Sequence, residues 1–105
     1  MTEKTIEWNL AFAHDEVIVN VEKLLASAGY VYTRTETDAE TCFLVTLSRG
    51  SMQFVARPLL SHRSPFNPIA TLHRTLLTVT YTGLSLQEEE TLRYRLTLVF
   101  LRVGG

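Results

Sequence analysis

Within its first 28 residues this chain changes its apolar period once, and that change constrains the fold more than any other feature. Ile6, Trp8, Leu10 and Phe12 alternate with Glu7, Asn9 and Ala11, the two-residue period of a strand with one face against a core. Val17, Val21, Leu24, Leu25 and Ala28 then recur at steps of three and four, the period of a helix with one apolar stripe. The spacing predicts a helix over 16–28, with Asp15 as its N-cap and Gly29 as a left-handed stop. A one-faced strand followed at once by a one-faced helix has to bury both surfaces against a shared core, which points to a two-layer arrangement.

The rest of the chain adds strands. Tyr30 to Thr37 is rich in tyrosine, valine and threonine, which favour extended backbone, and it ends near Asp38-Ala39-Glu40. Cys42 to Ser48 and Met52 to Leu59 are further extended runs, and Arg49-Gly50-Ser51 between them reads as a hairpin connection. Pro58, Pro65 and Pro68 lie in or beside residues 61–70, where they disfavour both ladder and helix, so this stretch reads as the principal loop. Leu72 to Thr82 is extended again and Gly83 closes it.

The final segment carries two patterns. Ser85 with Glu88 forms a capping box, Leu84 supplies a staple, three glutamates occupy the first turn, and Glu89 precedes Arg93 by four. These features predict a helix with Leu92, Leu96, Val99, Phe100 and Val103 on one face and Tyr94, Leu98 and Leu101 on the other. Residues 93–98 also alternate as a strand would, so a short helix followed by a sixth strand is the alternative. A helix would leave Tyr94, Leu98 and Leu101 needing a cover, and a partner subunit is the simplest one. The expected fold is α+β: a two-layer antiparallel sheet of about five strands in the order β-α-β-β-β-β, with one N-terminal and one C-terminal helix. Cystatin-like and helix-grip architectures share this broad order, and such likeness carries no function.

Length and composition bound the function classes. A chain of 105 residues with 46% apolar content fits one domain with one core. No apolar run approaches the ~18 residues of a membrane helix, and residues 1–5 lack the pattern of an export signal, so the expected location is the cytoplasm. Cys42 is the only cysteine, which excludes an internal disulfide, and at the start of an apolar strand it reads as a small core residue.

The net charge of −1 is unevenly distributed. Residues 1–40 hold eight acids against three cations, whereas residues 41–87 hold Arg49, Arg57, Arg63 and Arg74 with no acid. Arginine forks match carboxylate or phosphate, so Arg57, His62, Arg63, His73 and Arg74 form a candidate site for a small anionic ligand. The simpler reading pairs these arginines with the acids of residues 1–40, within one chain or across a dimer. An acidic domain without an RNA-binding signature argues against nucleic acid. His14, Asp15, Cys42, His62 and His73 show neither the spacing of a metal site nor that of a nucleophile with its base, so no catalytic residue, metal or cofactor is expected. The end of the chain, Leu101-Arg102-Val103-Gly104-Gly105, resembles the di-glycine tail of ubiquitin-like modifiers and sulfur carriers, and the resemblance implies adenylation of the terminal glycine carboxylate. The β-grasp fold of those proteins begins with a hairpin before its helix, whereas one strand precedes the helix in this chain. The sequence therefore points first to a non-enzymatic binding or assembly domain acting as a homodimer, then to an anionic-ligand binder, then to a modifier.

Overall fold

The computed structural model describes residues 3–59, 62–63, 71–72 and 74–104, with residues 62–63, 71–72 and 101–104 described as backbone only. The elements run β1 (Lys4–Leu10), α1 (His14–Ser27), β2 (Tyr32–Glu36), β3 (Thr41–Thr46), β4 (Ser51–Pro58), β5 (His62–Arg63), β6 (Thr71–Leu72), β7 (Thr75–Thr82) and α2 (Leu86–Gly104). Five strands form one antiparallel sheet in the order β1-β7-β4-β3-β2, and β5 pairs with β6 in a separate two-residue ladder. The fold is α+β, with the N-terminal and C-terminal helices expected from the sequence, and the strand alternative for residues 93–98 is not adopted.

Four antiparallel pairings in succession make β1 and β2, the two edge strands, point the same way. Strands related like this need a crossover rather than a tight turn, and α1 provides it. Its 14 residues span about 21 Å at 1.5 Å per residue, close to the ~19 Å that four inter-strand gaps cover. Val17, Ile18, Val21, Leu24 and Leu25 of α1 are buried. The helix starts two residues earlier than the sequence suggested: Ala13 is the N-cap, it makes no side-chain cap bond, and Asp15 sits inside the first turn. The other end follows expectation. Gly29 adopts φ +75°, its N–H donates to the Ala26 carbonyl, and the Tyr30 N–H donates to the Leu25 carbonyl, a Schellman ending.

Register aligns the inner face of the sheet into rows. Ile6, Val79, Phe54 and Phe43 form one row, Trp8, Leu77, Ala56 and Thr41 the next, and Tyr81, Met52, Val45 and Tyr32 a third. Most of these side chains join those of α1 and α2 in one continuous buried cluster. Period-two geometry then forces the intervening residues outward, so the far side of the sheet carries Thr5, Thr33, Thr35, Thr78 and Thr80 with Gln53 and Leu44. Cys42 belongs to that outer set. Phe43 and Val45 claim the inner face, so Cys42 points away from the core and accepts a hydrogen bond from Gln53 Nε2 at 3.2 Å.

Two backbone details close the sheet. The Thr75 hydroxyl, fully buried, donates to the Phe12 carbonyl at 2.8 Å and ties the start of β7 to the link between β1 and α1. At the opposite end, Gly50 in the β3–β4 turn meets Gly83 after β7 so closely that a Cβ on either would collide with main-chain atoms of the other segment. Gly83 also adopts φ +76°, whereas a Cβ at Gly29 would meet nothing within 4 Å. Replacing Gly29 by alanine should therefore cost only the left-handed strain of about 1–2 kcal/mol. Gly83→Ala should cost clearly more, and equilibrium urea unfolding of the two variants will show the difference in midpoint.

Candidate functional site

α2 is held on the sheet at both ends, and this fixes which of its faces is free. At its start, Ser85 Oγ accepts from the Glu88 N–H at 3.2 Å while the Glu88 carboxylate accepts from the Ser85 N–H at 3.0 Å, the reciprocal capping box that the spacing predicted. These bonds, with a smaller contribution from Arg49, hold the Glu88 carboxyl below the usual carboxylate range. Lys4 of β1 pairs with Glu89 at 2.6 Å, and that hydrogen-bonded partner raises the Lys4 pKa. At the other end Phe100 packs edge-on against Trp8 and Phe12, with ring centroids 6.2 and 5.8 Å apart. The helix thus runs alongside β1 and buries Leu92, Leu96 and Phe100.

Among the described residues nothing covers the opposite face of α2. Tyr94 is 64% exposed and Leu98, one turn on, is 51% exposed. Leu101, the third residue of the predicted stripe, has its side chain outside the described residues, although its backbone continues the helix. Glu90, Thr91 and Arg93 surround the stripe and are exposed. Glu90 and Arg93 make no ion pair among the described residues.

The arginine-rich segment is arranged differently. Arg57 lies on the outer face of β4 with its guanidinium 3.5 Å from Glu40, and Arg74, just before β7, donates to Asn9 Oδ1 at 3.2 Å. The Leu59 N–H bonds to the Arg74 carbonyl, so Arg57 and Arg74 stand diagonally across the β4–β7 ladder. Each faces a partner on a neighbouring segment. His62 and Arg63 form β5, with their side chains outside the described residues, and His73 lies wholly outside them, as does Gly105.

Between the first turn of α1 and the β2–β3 turn lies an open groove of about 440 Å³ walled by Asp15, Glu22, Glu36, Asp38 and Glu40. Arg34 reaches into it and bonds both Glu22 and Glu36, and the Glu22 carboxylate also accepts from the Tyr32 hydroxyl at 3.0 Å, which raises the Tyr32 pKa. His14 sits at the back with Nε2 3.0 Å from the buried Thr41 hydroxyl. The ring therefore pins the start of α1 to β3 across 27 residues of sequence, a long-range contact that local patterning cannot show. Among the described residues no three of His, Cys, Asp and Glu converge as a metal-binding group, and no helix is long and apolar enough to cross a membrane. A second recess of about 390 Å³ is walled by Lys4, Arg49, Ser85 and Glu89, with Tyr81 at its floor. Tyr81 is 2% exposed and its hydroxyl has no hydrogen-bond partner among the described residues.

No protein-family model matches the chain, and no curated protein matches it. Its functional surface has to be read from its own geometry: Val19, Val31, Leu44 and Leu86 are also exposed, and on α2 Tyr94 and Leu98 stand one turn apart on a single face. Two measurements test the surroundings of that helix. Glu88 has a lower pKa folded than unfolded, so its cap stabilises fully above the ordinary carboxylate value and is lost as pH falls through the folded one. Glu88→Gln should accordingly lower stability at neutral pH and flatten the acid limb of the unfolding profile below about pH 4. Tyr81→Phe removes an unpartnered buried hydroxyl, so thermal unfolding should show unchanged or raised stability, by up to about 1 kcal/mol, instead of the loss usual for deleting a buried polar group.

Proposed function

We propose that this chain is a non-enzymatic assembly domain that self-associates through the outward face of α2. The observation that carries this reading is the exposure of Tyr94 and Leu98 at positions i and i+4 of a helix already anchored on its other side. Isolated exposed apolar residues are ordinary, whereas a tyrosine and a leucine aligned along one helix face offer a joint surface. Burying a leucine side chain contributes about 1.5–3 kcal/mol, and a two-fold contact uses each residue twice. The anchoring matters for a second reason. A helix held by Phe100 at one end and by Lys4 and the capping box at the other has little freedom to lose on binding, so more of the burial energy is retained as affinity.

The interior offers no competing site of comparable definition among the described residues. The space between sheet and helices is filled by Phe43, Phe54, Leu25, Met52 and Leu96, each less than 2% exposed. Sedimentation of the full chain across a hundredfold dilution should show a concentration-dependent dimer. Leu98→Glu should weaken it at least tenfold while leaving thermal stability nearly unchanged, because the replaced side chain is half exposed in the single chain. A wild-type protein that sediments as a monomer at the highest concentration would remove the reading.

A further inference from the structure

The recess between the sheet and the start of α2 gathers hydrogen-bond donors that the fold does not use. Lys4 and Tyr81 stand directly opposite each other across the β1–β7 ladder, so their side chains rise on the same, inner side of the sheet. Arg49, in the β3–β4 turn, supplies another wall. Its main chain is fixed against the segment leading to Ser85, because a Cβ on Gly83 would collide with the Arg49 carbonyl. The walls therefore come from three parts of the chain that are held together at main-chain distance or by the Lys4–Glu89 pair.

Most polar groups of the recess are already occupied. Glu89 holds Lys4 at 2.6 Å, and the Glu88 carboxylate accepts from the Ser85 N–H. Two donors stand apart from these pairings. Arg49 makes no ion pair among the described residues, and the enclosed Tyr81 hydroxyl has no hydrogen-bond partner among them. A phenylalanine would fill the same volume without burying an unpaired polar atom, so packing alone gives no reason for the oxygen. A donor supplied with an acceptor from outside the chain would have one. Lys4 is half exposed, so its movement can uncover the floor without disturbing the core. An ammonium also carries three N–H donors, which lets Lys4 keep Glu89 and still donate to a second oxygen.

We propose that this recess binds a small carboxylate anion, with the Arg49 guanidinium pairing its oxygens, the Tyr81 hydroxyl donating from the floor and Lys4 donating at the rim. The formal charges of Lys4, Arg49, Glu88 and Glu89 cancel, and both acids are committed, Glu88 to its cap and Glu89 to Lys4. Such surroundings, with one guanidinium fork unpaired, suit a single negative charge better than the two of a phosphate monoester.

Amide NMR titration of the full chain with sodium acetate, against sodium chloride at equal ionic strength, tests the site. Acetate should shift the Arg49, Tyr81 and Ser85 amides and reach saturation, whereas chloride should not. Arg49→Met and Tyr81→Phe should each weaken acetate about tenfold in a spectrum that is otherwise that of the folded protein, since each removes a hydrogen bond to an ionised group. Glu89→Gln removes an acid from the wall and frees Lys4, so it should tighten acetate. Shifts that grow linearly with acetate, shifts that chloride reproduces, or wild-type affinity in Tyr81→Phe overturn the site. Inorganic phosphate binding more tightly than acetate overturns the assignment to a singly charged carboxylate.

Discussion

The contact between the inner face of the sheet and its two helices is the interaction on which the remaining structure depends. Five short strands with one apolar face cannot stand in water alone, and the rows running from Ile6 to Phe43 and from Trp8 to Thr41 expose that face along its whole width. α1 covers it obliquely because the chain must travel from one edge strand to the other. α2 covers what remains, beside β1. The requirement that a single crossover should also be the main lid explains why the α1 stripe contains Val17, Val21 and Leu25, each fully buried. It also explains why the β2 edge is fastened to α1 by polar groups, Tyr32 and Arg34 both reaching Glu22.

Much of this architecture is legible in the sequence. Alternation in β1, the hairpin through Gly50, the Gly29 stop and the Ser85–Glu88 box are all local signals, and local signals are set by a few neighbouring residues. What was not legible depended on distant partners or on parity. The start of α1 was displaced because His14 is drawn onto Thr41, a contact between different elements. Cys42, at the start of an apolar strand, reads as a core residue, yet the bulky Phe43 and Val45 beside it occupy the inner side, and counting by twos from either places it outside. The proline-bearing stretch was read as unable to continue a ladder. Two-residue pairing of His62 with Leu72 and Arg63 with Thr71 nevertheless extends beyond the β4–β7 pair, because prolines at 58 and 65 flank these positions without occupying them.

The candidate site was legible in a different sense. The surplus apolar face of α2 followed from helical periodicity, and the exposed Tyr94 and Leu98 correspond to it. The arginine-rich middle was harder to interpret because composition records charge without direction. In the folded chain Arg57 turns to Glu40, an acid, and Arg74 to Asn9, a neutral amide, so each meets a polar group on a neighbouring segment. Such exposed pairs contribute little stability individually.

The meeting of Gly50 with Gly83 has a mechanical consequence. Where loops touch through side chains, rotamer changes can absorb a displacement. In this junction main chain lies on main chain, with no side chain between to yield. The chain that leads into α2 therefore rests directly on the tip of the β3–β4 hairpin, so a change in the hairpin's backbone has to be accommodated by the main chain three residues before the helix.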